Sequence, residues 1–332
     1  MLRQHNYSLK NNNTFGIDCR AAEFIEYDSV EDLQRVIPEL KGRRVLHIGG
    51  GSNLLFTGDF PGVVLHSRIK GIDILDETDE TVVIRVGAAE VWDDLVAYAV
   101  KNGWSGIENL SLIPGETGAA AVQNIGAYGT EVKDVILSVE TLSLENGKMR
   151  TFSNAECGYA YRQSVFKKSL KGQYAVISVT MRLSKQFSPN VGYGNIRQAL
   201  EGRELTASNV RQAIIDIRNQ KLPDPKVTGN AGSFFVNPVV DADKFNDLRQ
   251  QYPDMPYYEV EGGFKIPAGW LIEQAGWKGR ALGRAAVHDR QALVIVNLGG
   301  ASAAEIVRLS ERVRKDVFSK FGVSISPEVN FV

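Results

Sequence analysis

Ile113-Pro-Gly-Glu-Thr-Gly-Ala-Ala-Ala-Val-Gln-Asn-Ile-Gly-Ala-Tyr-Gly129 is the stretch on which the reading of this chain turns. It holds four glycines (Gly115, Gly118, Gly126, Gly129), four alanines and two adjacent amides, Gln123 and Asn124. Residues this small let backbone approach a ligand, and glycines permit turns at positive φ. Amide hydrogens freed in such turns make an anion-holding concavity, while amide side chains can match a heteroaromatic rim. A tight loop that packs one element onto another uses the same residues. The stretch alone does not choose between the two.

A second glycine cluster shifts the balance. Arg44-Val-Leu-His-Ile48 reads as a short buried strand that runs into Gly49-Gly50-Gly51-Ser52-Asn53 and then Leu54-Leu-Phe56. A strand ending in glycines suits phosphate, and a dinucleotide-binding Rossmann turn is the first candidate. Spacing excludes it. Leu54 stands where the third glycine belongs, and Thr57-Gly-Asp-Phe-Pro-Gly62 breaks any following helix. The loop is a phosphate cradle without a Rossmann helix, or a plain turn.

Composition narrows the partners. At 332 residues the chain exceeds one ordinary core. A net charge of −1 gives no bulk attraction to nucleic acid or an anionic membrane, so an anionic ligand needs local cations. No apolar run approaches the roughly 20 residues that span a bilayer, and Met1-Leu-Arg-Gln-His-Asn6 lacks the apolar core of a signal peptide. Two cysteines, Cys19 and Cys157, argue against a disulfide framework and for a reducing, cytoplasmic setting. Four scattered histidines offer no zinc spacing, so no metal is expected.

Periodicity gives the elements. A helix is expected after Ser29, whose spacing to Asp32 resembles a capping box, with Leu33, Val36, Ile37 and Leu40 inward. Short strands are expected at Val45–Ile48, Val63–His66, Ile72–Leu75 and Val82–Val86, then a helix from Val91 to Asn102 closed by Gly103. Longer strands follow at Val135–Leu144 and Ala175–Leu183, and a helix at Val210–Asn219. Leu222-Pro-Asp-Pro225 marks a domain boundary. Beyond it, Ser233–Val236 reads as a strand, Asp241–Gln251 as a helix, and Tyr257–Ile266 as a hairpin around Gly262-Gly263. Ala268–Ala275 and Ala303–Phe321 read as helices, the latter capped by Ser302 and Glu305. Val323–Phe331 reads as a last strand interrupted by Pro327. Alternating strands and helices in short units argue for an α+β or α/β class, and patterning does not fix the topology.

Four motifs occur in order: Gly49-Gly-Gly-Ser-Asn-Leu-Leu-Phe56, Ile113-Pro-Gly with Gln123-Asn-Ile-Gly-Ala-Tyr-Gly129, Tyr161-Arg162-x-Ser164-x-Phe166-Lys167, and Gly229-Asn-Ala-Gly-Ser-Phe-Phe-x-Asn-Pro238. The series resembles the UDP-N-acetylenolpyruvoylglucosamine reductase family, the MurB flavoenzymes of peptidoglycan precursor synthesis, from Asn13 to Val329. That resemblance implies an FAD-binding fold of the vanillyl-alcohol-oxidase type. It implies two flavin-binding subdomains (1–70, and 71–225 with the terminal strand 322–332) and a substrate domain (226–321). It further implies non-covalent FAD, NADPH as hydride donor and a UDP-sugar substrate, on a cytoplasmic monomer that binds neither nucleic acid nor membrane.

Residue roles follow from the same resemblance. Gly49, Gly50, Gly51, Ser52, Asn53, Pro114, Gly115, Gly118, Ala119, Gln123, Asn124, Ile125 and Gly126 would hold the cofactor. Ser233 lies between glycines and the aromatic pair Phe234-Phe235. Without a Gly-x-Ser-x-Gly elbow or a placed histidine it is no acyl-transfer nucleophile. The resemblance makes it the proton donor. Hydride delivered to the terminal vinyl carbon of an enolpyruvyl ether pushes charge onto the carbon bearing the carboxylate, which calls for a fixed guanidinium. The family pattern puts Arg162 and Glu328 there, with the Glu328 pKa raised so that it donates a hydrogen bond. Tyr128, Tyr193, Lys221, Asn237, Lys278 and Gln291 would bind substrate, Tyr193 from a glycine-flanked loop, Val191–Gly194. Ala160 stands where glycine is usual before Tyr161-Arg162, and Gln163 where aspartate is common. Asn330 stands where arginine often follows Pro-Glu-Val, leaving one cation fewer. An oxidase of the same flavin fold and a non-catalytic sugar-nucleotide binder are the alternatives.

Overall fold

Ser29 accepts a hydrogen bond from the Asp32 amide and starts the helix Val30–Leu40, whose Leu33, Val36, Ile37 and Leu40 are buried as their spacing requires. Asp32 does not return the bond to Ser29 as a full capping box would; its carboxylate accepts from the Asp28 amide instead. In the computed structural model, which describes residues 1–193 and 195–332, the chain divides into two compact units. The first comprises 1–7, 21–50 and 60–220; the second comprises 8–20, 51–59 and 221–332.

Two sheets organise the first unit. One runs Leu2–Ser8, Arg20–Tyr27, Phe60–Ser67, Val45–Ile48 in spatial order, the last three strands parallel. Parallel neighbours need a crossover, and the helix Val30–Leu40 provides it, burying its apolar face on Ile25, Tyr27, Val63 and Leu65. The other sheet has five antiparallel strands, ordered Met149–Ser153, Ile136–Ser143, Tyr174–Ser184, Thr81–Gly87, Ile72–Glu77. On it lie the helices Trp92–Lys101 and Thr117–Gln123, around a core that includes Trp92, Leu95, Val96 and Phe152. Strands Leu2–Ser8 and Arg20–Tyr27 were not expected. The first is an exposed edge strand with little apolar alternation for a sequence to show.

In the second unit, strands Gly229–Ser233, Val294–Asn297, Ala285–Val287 and Ala281–Leu282 form an antiparallel sheet. The helix Ala303–Phe321 carries a complete Ser302/Glu305 capping box and ends at Gly322, φ +63°. Its Ile306, Leu309, Val313 and Val317 are fully buried. Helix Ala242–Gln251 is capped by Asp241, helix Ala268–Gln274 follows, and the hairpin Tyr258–Val260/Gly263–Lys265 forms where expected. Two expectations fail. The strand near Ser233 spans Gly229–Ser233 rather than Ser233–Val236, because the Gly232 backbone at φ +69° kinks it and only an isolated bridge, Phe235 to Pro327, continues the pairing. The last strand shrinks from Val323–Phe331 to Asn330–Phe331, parallel to Leu54–Leu55, since Pro327 has no amide to donate. Among the described residues no helix is long and apolar enough to cross a membrane.

Candidate functional site

The two glycine clusters meet in the first unit. A Cβ on Gly49 would lie 3.0 Å from Glu116 Oε2 and 3.2 Å from the Ala119 Cβ, and one on Gly50 would lie 3.5 Å from the Cα of Gly115. Gly49, Gly50, Gly115 (after Pro114) and Ala119 thus line one backbone cradle that any added side chain would fill. Such a cradle fits the phosphates of a nucleotide cofactor. The alanine-rich centre is not loop: Thr117–Gln123 is helical, as three consecutive alanines favour. Gly118 has a packing reason to be glycine, because its Cβ would stand 2.9 Å from that of Ala88.

Past this helix the chain turns sharply at Asn124, φ +46° and fully buried. Its amide is committed internally: Nδ2 donates to Glu131 Oε2 (3.2 Å) and the Ala160 carbonyl (2.9 Å), and Oδ1 accepts from the Lys133 amide (3.2 Å). Ile125 donates its amide to Ala120. Gln123 Oε1 accepts from Lys167 Nζ at 3.0 Å, and that ammonium also holds the Arg162 carbonyl at 2.9 Å. The turn and the Arg162 segment are therefore locked together.

Arg162 itself sits at φ +56° and donates to the carbonyls of Gly126 (2.7 Å) and Asn124 (3.4 Å). A Cβ on Gly126 would come within 3.3 Å of its Nη1, so glycine admits the guanidinium. Tyr128 follows at φ +49°. Non-glycine residues in this region cost about 1–3 kcal/mol each and persist where surroundings over-determine them, commonly at functional sites.

Sequence reasoning missed Arg218. From the helix Ala207–Lys221 it pairs with the Tyr128 hydroxyl, and its Nε is buried with no acceptor among the described residues. Burial pulls its pKa down and the Arg162 charge adds to that, against Tyr128 and Asp93. Burial raises the Tyr128 phenol. A guanidinium with an orphaned donor beside a second guanidinium suits an anionic ligand. The signal was present: Arg211 and Arg218 lie two turns apart on a face that otherwise carries buried Ile214. Arg211 grips Asp93 with two hydrogen bonds (2.6 and 3.0 Å), and Asp93 also accepts the Leu112 amide, tying this helix to the start of the Ile113 stretch. Burial pushes the Asp93 carboxyl up, but these partners bring it below its ordinary value.

Tyr193 is 39% exposed; Gly194 of its loop lies outside the described residues. The loop's base is fastened by buried Asn109, which donates to the carbonyls of Tyr128 (3.0 Å) and Asn190 (2.7 Å), while Asn190 Nδ2 reaches Gly129 O at 3.1 Å.

The second unit gathers a different set. Ser233 ends its strand opposite Val294, after an irregularity in the register, and is half-buried. The Glu328 amide donates to the Phe234 carbonyl at 2.8 Å, and the Val236 amide to Ser326 at 2.9 Å, so Ser233 and Glu328 are brought to one corner. Asn53 Nδ2 donates to the Glu328 carbonyl (3.3 Å), and Asn330 donates its amide to Asn53 (3.0 Å). Gly51, next to Ser52, must be glycine: at φ +65° its Cβ would overlap the Asn12 carbonyl at 2.0 Å. Asn237 accepts from the Ala268 amide at 2.9 Å, and Gln291 Oε1 accepts from Leu293 at 3.3 Å. Lys221 is exposed, and Lys278 pairs with Glu273 on the exposed surface.

Other chemistries find little footing. Burial holds both free thiols, Cys19 and Cys157, up at about 11, protonated and unreactive. No group of three or more histidine, cysteine, aspartate or glutamate residues that could hold a metal occurs among the described residues.

Comparison with known proteins adds two family matches. Residues 224–332 match the UDP-N-acetylenolpyruvoylglucosamine reductase C-terminal domain, and residues 21–153 match the FAD binding domain. A UDP-N-acetylenolpyruvoylglucosamine reductase of Bacteroides fragilis is 55% identical over 334 residues, covering 99% of this chain and 100% of that one. The enzyme of the same name from Flavobacterium johnsoniae is 46% identical over 99% of each chain. That from Neisseria gonorrhoeae is 47% identical over 96% of this chain and 94% of its own. The crystal structure of the Thermus caldophilus reductase superposes with a TM-score of 0.70 at 23% identity, over 99% of this chain and 98% of that chain.

Proposed function

The chain belongs to the UDP-N-acetylenolpyruvoylglucosamine reductase family, and from that premise we propose which of its residues bind and which react. It is an FAD-dependent oxidoreductase of the α+β FAD-binding fold, vanillyl-alcohol-oxidase type. It reduces UDP-N-acetylglucosamine enolpyruvate to UDP-N-acetylmuramate in peptidoglycan synthesis at the expense of NADPH. When bound, FAD supplies the hydride transfer between NADPH and the vinyl carbon of the substrate.

The cradle of Gly49, Gly50, Pro114, Gly115 and Ala119 holds the cofactor's phosphates, and the family pattern assigns Gly51, Ser52 and Asn53 to the cofactor as well. Gly118, Gln123, Asn124, Ile125 and Gly126 shape its surroundings. Arg162 offers a fixed positive charge to the carboxylate as charge builds on the adjacent carbon. Arg218, its Nε without an acceptor, shares that task with Tyr128. Ser233 gives its proton to the same carbon. Glu328, half-buried and anchored through its backbone to Phe234, donates a hydrogen bond in its protonated form. Tyr193, Lys221, Asn237, Lys278 and Gln291 bind the nucleotide portion. Asn330 leaves that portion one cation short of the common family pattern.

By the same resemblance, residues 1–70 and 71–225 with the terminal strand 322–332 serve the cofactor, and the region from 226 to 321 serves the substrate. Both nucleotides of the reaction are cytoplasmic pools, which favours a cytoplasmic enzyme. A monomer is proposed on the family resemblance alone.

One observation carries the reading: the Arg162 guanidinium is fixed by the carbonyls of Gly126 and Asn124 at the end of the glycine-rich stretch, presented from a tight turn closed by Ala160 and Gln163 that sets its positive φ. Glu328→Ala tests the assignment by rapid mixing without oxygen. Bleaching of the flavin by NADPH should keep its rate, while recovery of colour on adding the enolpyruvyl nucleotide should slow by about 10²–10³-fold. Equal slowing of both phases contradicts it.

A further inference from the structure

A charged cluster lies directly beneath the Gly49-Gly50 backbone. His66, on the strand Phe60–Ser67, reaches Glu26 Oε1 with Nδ1 at 2.9 Å and Glu116 Oε1 with Nε2 at 3.1 Å. All three side chains are about 15% exposed, at 16%, 15% and 14%. The Glu116 carboxylate is the group that a Cβ on Gly49 would meet at 3.0 Å, and its other oxygen is 4.0 Å from a Cβ on Gly50.

The hydrogen-bond inventory of this trio fixes its charge. A carboxylate only accepts, so an imidazole flanked by two carboxylates must donate from both nitrogens, and only the imidazolium does that. The charged neighbours are few. Arg68 approaches Glu26 at 3.6 Å from the solvent side. His47, on the adjacent strand, is bound to the Tyr27 hydroxyl at 2.7 Å and stays neutral, its pKa pushed down to about 4 by burial and by the nearby His66 charge. Tyr27 and Tyr7 are both raised by burial and, secondarily, by Glu116 or Glu26. For His66 itself, burial lowers the pKa, but the two carboxylates outweigh it and carry it above the ordinary 6.5.

We propose that His66 and Glu116 are positioning residues for the cofactor: the doubly donating His66 holds the Glu116 carboxylate against the Gly49-Gly50 turn and offsets its charge where phosphates approach. The proposal rests on assigning that turn to the FAD phosphates. Without the imidazolium, an uncompensated carboxylate would face the phosphates across the turn and repel them. The linkage has a definite sign. The His66 pKa is already above 6.5 in the flavin-free fold and would be carried higher by bound phosphates, so flavin should bind fully below that raised value and loosen as pH rises through it.

Flavin release from the holoenzyme, read as free-flavin fluorescence after dilution between pH 6 and 9, tests this in four variants. The wild type should release more flavin as pH rises. His66→Leu should bind FAD roughly tenfold more weakly at pH 7, with the pH dependence gone. Adding Glu116→Gln to His66→Leu should restore most of the affinity, which a merely structural loss would not allow. Gly49→Val, which fills the cradle, should abolish flavin binding. Independently, ¹⁵N NMR of His66 should show both ring nitrogens protonated at pH 7. If Gly49→Val binds FAD normally, the cradle assignment fails and takes the proposal with it. If Gly49→Val loses FAD while the wild-type profile is flat, Glu116→Gln fails to rescue, or His66 is neutral at pH 7, the cradle stands and the positioning role is overturned.

Discussion

In the first unit, Arg162 is held at φ +56°, its guanidinium on the carbonyls of Gly126 and Asn124 and its own carbonyl on Lys167, with Arg218 and Tyr128 half-buried alongside. In the second unit, Ser233 and Glu328 stand at ordinary φ, placed by a strand end and one backbone hydrogen bond. The contrast matches the roles proposed for the two groups. A cation must be kept in place against desolvation and against a like-charged neighbour, which takes several fixed acceptors and tolerates backbone strain. A hydroxyl that gives up one proton needs only correct placement beside its target.

Breaking the cationic side should have the largest effect. Arg162→Met should slow flavin reoxidation by the enolpyruvyl nucleotide by about 10²–10³-fold, and Arg162→Lys, which keeps the charge but not the two-carbonyl grip, should fall between. Stopped-flow absorbance separates the two; equal rates would show that the grip is irrelevant. Arg218→Met sharpens the same comparison. If its orphaned Nε faces substrate, KM for the nucleotide should rise by about tenfold, the scale of one charge-assisted hydrogen bond, with kcat changed less. Smaller still is a pH effect on the scaffold behind Arg218. Asp93 has a depressed pKa, so its contribution is present above the ordinary 3.8 and is lost as pH falls through the lowered value. Asp93→Asn should therefore flatten the fall in melting temperature below pH 4; an unchanged acid limb would discount the Arg211 clamp. Ser302→Ala, remote from this chemistry, should cost only about 1 kcal/mol of stability by denaturant titration, with kinetics unaffected.

Much of the fold could be read from the chain because the relevant signals are local. Helices Val30–Leu40, Ala242–Gln251 and Ala303–Phe321 each announce themselves by a cap and an apolar stripe. Edge strand Leu2–Ser8 and the short strand Val294–Asn297 do not, since the first is exposed without apolar alternation and the second is four residues buried on both faces. Ser233 and Glu328 are singled out by the family resemblance alone: glycines and aromatics frame one and a proline precedes the other, but those neighbours assign neither a role. The trio of Glu26, His66 and Glu116 was missed because nothing near its members in sequence marks them, and Arg218 because its one local signal, the spacing from Arg211 past buried Ile214, names no partner. Only tertiary structure brings a helix arginine to Tyr128, or a strand histidine between two carboxylates.

The most direct test of the division between a cation that stabilises and a hydroxyl that protonates is Ser233→Ala, followed by anaerobic rapid mixing. NADPH should bleach its flavin at the wild-type rate, while the enolpyruvyl nucleotide should restore the colour about 10²–10⁴-fold more slowly. Reoxidation at the wild-type rate would mean that some other group delivers the proton.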